Sequence, residues 1–217
     1  MKIPAYILAL LLIAPALGFA GGAGYVALQT ADPACDDDSG NTYVDCGNGT
    51  VTDNRTKLIW LKDAGCLGSP ETPRTTDWFV ATHFAANLSD LDDGFCDEWA
   101  SNSNSCDCDL ADNSSPGEWR LPTIDELNFM ISDAIGDEGD PNCIPTPPTI
   151  TNDSGGGCWI SGPSSFINIR QCSYWSSSLN AGTATGAWRQ SLCTPLEVDF
   201  DTIFFDGHFA WPVRGGQ

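Results

Sequence analysis

Ten cysteines stand between Cys35 and Cys193 of this 217-residue chain, and they set the kind of fold open to it. They follow an apolar N-terminus: Lys2 leads into Ile7-Leu-Ala-Leu-Leu-Leu-Ile13, and Gly18-Phe-Ala20 ends in the small residues that signal peptidase accepts. Residues 1 to 20 are expected to be a cleaved signal peptide, with the chain secreted to the cell surface or exterior and the periplasm as an alternative. An uncleaved anchor through Tyr25-Val-Ala-Leu28 is the competing reading, because no charge intervenes between Lys2 and Asp32. Glycines at 18, 21, 22 and 24 make that a poor spanning helix, so no stable membrane anchor is expected. Behind an export signal, an even number of thiols reads as oxidised pairs. Long stretches without regular structure can then be held covalently. Zinc or iron–sulfur binding at Cys106-Asp-Cys108 is disfavoured, since no CxxC occurs and the chain has two histidines, His83 and His208.

Charge removes whole classes of partner. Nine Lys and Arg against 29 Asp and Glu give a formal net charge of -20. That surface repels nucleic acid, anionic membranes and anionic glycosaminoglycan, and favours solubility and cations. The length suits one domain with a core of its own. Composition divides the chain into residues 1 to 20, a Gly- and Asp-rich segment over 21 to 42, and a folded domain over 43 to 217.

Local patterns place the elements. Thr50-Val-Thr52 and Leu58-Ile-Trp-Leu61, broken at Asp53-Asn54, predict a hairpin. Thr76 or Asp77 can cap a helix whose stripe is Trp78, Ala81, Ala85 and Leu88, with Phe84 beside it. Thr123 followed by Glu126 is a capping box, opening a helix with Ile124, Leu127, Met130, Ile131 and Ala134 on one face. Pro122 keeps the residue before it extended, so Trp119 and Leu121 enter from a strand-like segment and pack at the helix base. Trp119-Arg120-Leu121-Pro122-Thr123 with Glu126 therefore reads as scaffold.

Residues 89 to 118 and 136 to 158 are aperiodic and read as loops pinned by cysteines. From Cys158 onward the pattern is β, at Trp159-Ile160, Tyr174 to Ser178, Ala187 to Gln190, Leu196 to Phe200, Ile203 to Phe205 and His208 to Val213. Phe205-Asp-Gly-His208 carries the signal of a tight hairpin. Two central helices with strands at both ends predict an α+β domain.

Four motifs in order, Gly47-Asn-Gly-Thr-Val-Thr-Asp-Asn-Arg-Thr-Lys-Leu-Ile-Trp-Leu61, Trp119 to Leu127, Tyr174-Trp-Ser-Ser-Ser178 and Trp211-Pro-Val-Arg-Gly-Gly-Gln217, closely resemble the Lcl C-terminal domain family. The resemblance implies a C-type-lectin-like fold with two helices, antiparallel sheets and long disulfide-pinned loops, in an exported bacterial adhesion or binding module. It also implies a Cys66–Cys108 disulfide. The other eight cysteines lie near one another in sequence as Cys35 with Cys46, Cys96 with Cys106, Cys143 with Cys158 and Cys172 with Cys193, each stapling one loop; sequence alone does not choose among pairings. The Glu-Pro-Asn, Gln-Pro-Asp and Trp-Asn-Asp motifs of calcium-dependent sugar-binding lectins do not occur here. Carbohydrate binding by that route is not expected.

The expected function is non-catalytic contact with a glycan or protein through the C-terminal loops, about residues 178 to 210, with Trp188, Arg189 and Phe209 as candidate ligand-binding residues. Calcium is the candidate cofactor, because Glu197, Asp199, Asp201 and Asp206 gather four carboxylates in a short span. Alternation offers a plainer account of three of them, as one solvated strand face with Val198 and Phe200 on the other. Tyr174, Trp175, Trp188, Phe204, Phe205, Phe209 and Trp211 offer a sugar-stacking platform, although at most of these positions the core is expected. The competing class is a self-assembling component of an extracellular filament or surface layer. A third is activity like that of the formylglycine-generating enzyme, a distant relative of the fold, with Cys172 and Cys193 flanking the place of its thiols; no Gly-x-Ser-x-Gly elbow accompanies the serine run after Cys172.

Overall fold

Strand β1 (Tyr43–Asp45) pairs antiparallel with β2 (Thr50–Asp53), and β2 with β3 (Ile59–Leu61), so the predicted hairpin is present. The chain end returns as β7 (Val213–Arg214) beside β3, giving a four-stranded sheet of order β1-β2-β3-β7 that holds both ends of the domain. Between them lie helix α1 (Trp78–Ala86), helix α2 (Ile124–Ser132) and a second antiparallel sheet, β4 (Ser173–Leu179), β5 (Gly186–Ser191) and β6 (Val198–Thr202), with β5 central. The architecture is α+β. This computed structural model describes residues 33–35, 38–67, 75–88, 108–136, 141–171, 173–193 and 197–215. The expected signal peptide and Cys96, Cys106 and Cys172 lie outside the described residues. Among the described residues no helix is long and apolar enough to cross a membrane.

The two sheets meet over aromatic rings. Trp211 is fully buried and touches Trp60 at 5.3 Å, Phe166 at 5.0 Å and Tyr174 at 5.5 Å between centroids, so one ring contacts the β3 strand, a loop and the β4 strand. Burying an indole removes about 150–250 Å² from water, worth up to about 4–6 kcal/mol. Polar tips are met as well: Trp211 Nε1 donates to the Leu61 carbonyl at 2.8 Å and Trp175 Nε1 to that of Thr76 at 2.8 Å.

Both helices start where their caps predict. Asp77 is the residue that caps α1, accepting from the Val80 N–H. In α2 the Thr123 hydroxyl accepts from the Glu126 N–H while the Glu126 carboxylate accepts from the Thr123 N–H. Arg120 grips the same carboxylate at 2.6 and 2.7 Å. Burial works against charge on Glu126, but these hydrogen bonds outweigh it and hold the carboxyl below its usual range.

Two sequence motifs turn out to be one assembly. Arg120 and Val213 exchange both backbone hydrogen bonds, Arg120 Nη2 reaches the Gly215 carbonyl at 3.2 Å, and Arg214 lies over the Trp119 ring while its Nε donates to the buried Asp112 at 2.8 Å. The Trp-Arg-Leu-Pro-Thr segment and the closing Trp-Pro-Val-Arg segment thus clasp each other.

The disulfides Cys35–Cys46, Cys66–Cys108 and Cys143–Cys158 are formed, which fits folding in an oxidising, non-cytoplasmic compartment. Three expectations need correction. Trp159–Ser161 is a turn of 3-10 helix, not a strand. The chain reverses at Ile203 and Phe204, where the Phe205 N–H bonds the Thr202 carbonyl, so no hairpin forms at Asp206-Gly207. The strand expected over His208 to Val213 reduces to β7, because His208 and Phe209 are occupied by single bridges to Thr76 and Tyr174.

Candidate functional site

An exposed aromatic surface gathers at the second sheet and the turn that follows it, and the register of β6 explains part of it. Strand β6 alternates strictly, with Val198, Phe200 and Thr202 exposed and Asp199 and Asp201 half-buried. Asp199 lies opposite Arg189 and Asp201 opposite Ala187, so both carboxylates share the face of Arg189. Arg189 Nε donates to Asp201 at 2.9 Å, its Nη2 to Asp199 at 3.3 Å and its Nη1 to the Ser173 hydroxyl at 2.9 Å, with Glu197 at 3.8 Å. The side chain of Arg189 is 13% exposed. Arg189 thus occupies the acidic face of the strand, and the apolar face with Val198 and Phe200 is left exposed. Phe200 there packs edge-on against half-buried Trp188 at 5.6 Å.

His208 extends this network. Its Nε2–H donates to Asp201 Oδ2 at 2.9 Å, and its ring stands edge-on to Trp175 at 4.5 Å and next to Phe205 at 5.0 Å. Burial, reinforced by Arg189, pulls its pKa below the usual value against the opposing hydrogen bond to Asp201.

Helix α1 docks at the same end. The Trp78 N–H bonds the Ile203 carbonyl at 3.1 Å and its indole bonds the Ser176 carbonyl at 2.8 Å. This brings Phe79 to 5.9 Å from Phe204 across the turn that follows β6. Phe204 is 67% exposed, Phe79 49% and Phe205 42%. The Phe205 ring covers Gly207, where a Cβ would lie 2.0 Å from it, so only glycine permits that seat.

The sequence candidates fall into place unevenly. Trp188 is at the surface through its contact with Phe200. Arg189 is held by this chain's own carboxylates, which corrects its reading as a ligand contact. Phe209 is 7% exposed in the core against Tyr174, because its N–H and C=O bond Ser173 and Trp175 alongside β4; its reading as a ligand-facing residue is corrected as well. For calcium, Asp199, Asp201 and Glu197 surround Arg189 rather than a vacant centre, while Asp206 sits in the exposed segment after the turn. Among the described residues no group of three or more His, Cys, Asp or Glu could hold a metal ion. The expected four-carboxylate site is not assembled.

The serine run is structural where it is described. The Ser176 hydroxyl donates to the Trp188 carbonyl and that of Ser177 to the Pro122 carbonyl. A second concavity, a cleft of about 170 Å³, lies at the β1–β2 turn between Lys62, Asp63, Asp109 and Ile167. Lys62 is bound to Asp45, and Asp63 accepts from the Gly65 N–H and Asn168.

Phe204 and Phe205, weighed from sequence as part of a stacking platform but expected in the core with most neighbouring aromatics, are exposed, and Phe79 carried no surface signal in the sequence.

Comparison with known proteins gives one finding. The family model described as the Lcl C-terminal domain matches residues 49–214. No curated protein matches the chain, and no solved structure does.

Proposed function

Because the chain belongs to the Lcl C-terminal domain family, we propose that it is an exported, non-catalytic binding or adhesion module with a C-type-lectin-like arrangement, contacting a glycan or protein ligand through its C-terminal sheet. The observation that carries this reading is the cluster of Phe79, Phe204 and Phe205, rings held outward beside a polar network. Large aromatic side chains concentrated at a surface cost solubility, and they are typical of recognition faces. Two helices, antiparallel sheets and covalently pinned loops agree with the lectin-like arrangement. Self-assembly stands second, since copies each carrying a net charge of -20 repel one another.

The test is adhesion of the oxidised protein to a neutral-glycan array and to intact cells, compared with a Phe79→Ser/Phe204→Ser variant. Binding that drops at least tenfold while near-ultraviolet circular dichroism is unchanged supports the face. Undiminished adhesion by the variant places the binding site elsewhere.

A further inference from the structure

We infer that the C-terminal aromatic face takes a cationic protein segment, one that presents Arg or Lys among apolar side chains. This rests on the reading of that face as a binding surface and names its partner class.

The rings supply the apolar contact. Phe79 and Phe204 form an exposed pair, and Phe205 continues from Phe204 toward His208 and Asp201. A carboxylate adjoins them: Asp206, the next residue after Phe205, is exposed in the same segment, whereas Asp199 lies on the other face of β6 beside Arg189. An aromatic face with an exposed carboxylate beside it attracts a guanidinium or ammonium twice, through the ring quadrupole and through charge.

The rest of the chain sharpens the selection. Arg55, Lys62, Arg120, Arg189 and Arg214 each bind a carboxylate of this same chain. These five positive charges are used internally, and with nine Lys and Arg against 29 Asp and Glu the outward field is negative. Such a field speeds the approach of a basic partner and opposes an acidic one.

The side chains offer the better-defined recognition surface, since part of the neighbouring strand edge is already engaged. The register of β5 with β6 turns the backbone groups of Val198, Phe200 and Thr202 toward the open edge. There the Asp199 carboxylate accepts from the Phe200 N–H at 2.8 Å, and the Thr202 carbonyl accepts from the Phe205 N–H at 2.9 Å. An added strand would find these two groups already engaged, which weakens pairing at this end of the edge.

The probes are three synthetic decapeptides alternating Leu with Arg, with Ser or with Glu, titrated by fluorescence anisotropy against the full oxidised chain in physiological salt. The Arg-Leu peptide is expected to bind, and the Phe79→Ser/Phe204→Ser variant, which keeps the net charge, to bind it at least tenfold more weakly. Asp206→Asn should weaken binding severalfold, whereas Asp125→Asn, an exposed charge in the first turn of α2, should leave it unchanged. Phe204→Ser alone provides the same comparison if the double variant is destabilised.

Equal binding of the Arg-Leu peptide by wild type and aromatic variants would mean that net charge alone attracts it, and would overturn the inference. So would equal binding of the Ser-Leu peptide, or no peptide binding at all. Should neutral glycans bind in an aromatic-dependent way while the Arg-Leu peptide does not, the binding face stands and its cationic preference falls.

Discussion

His208 sits where three demands meet: a buried ring against Trp175, a hydrogen bond to Asp201, and the nearby charge of Arg189. Burial dominates, so its folded-state pKa lies below the value near 6.5 that it has in the unfolded chain. The unfolded state then binds the proton first as pH falls. Stability from this residue is complete above about pH 6.5 and is lost as pH drops through the folded-state value. Urea unfolding measured from pH 7.5 down to 5 should show wild type weakening in the lower part of that range, and His208→Gln should remove most of that slope. A variant as pH-sensitive as wild type would assign the slope to carboxylates instead. Arg189 is the companion case: a residue expected at the ligand surface is held by Ser173, Asp199 and Asp201 of its own chain.

Among the elements, α2 was readable residue by residue because its signals are local. Thr123, Glu126 and the 3.6-residue apolar spacing all lie within one short segment, and the helix begins where they say. Thr123→Ala removes the acceptor for the Glu126 N–H and should cost about 1 kcal/mol in denaturant unfolding. The β2–β3 hairpin was equally legible, through alternation interrupted by polar turn residues. The region after β6 was not. Asp-Gly is a good turn signal, yet the chain turns earlier because Thr76 and Tyr174, distant in sequence, claim His208 and Phe209. The clasp of Arg120 with Val213 and Gly215 was likewise invisible as a contact, although both of its segments were singled out as motifs.

For the whole molecule, covalent closure complements a core that has little regular structure around it. The three described disulfides close spans of 11, 42 and 15 residues. Each should stabilise the fold by about 2–4 kcal/mol, chiefly by restricting the unfolded chain, with the longest span worth about 1 kcal/mol more than the shortest. Urea midpoints of Cys66→Ser/Cys108→Ser and Cys35→Ser/Cys46→Ser, taken without reductant, should therefore fall in that order, the first variant being the weaker. The reverse order would mean that native contacts around each bridge outweigh loop entropy.

Sequence by itself determined the export-compatible cysteine framework, the capped helices, the N-terminal hairpin and the family, since each is written in neighbouring residues or in motif order. Tertiary structure alone decided which side of β6 faces water. A strand offers two side-chain sets at the same period, and nothing within Val198-Asp-Phe-Asp-Thr202 ranks them. Pairing with β5 puts Arg189 beside the carboxylates, on the side of the strand opposite Phe200. Docking of α1 then brings Phe79 to Phe204.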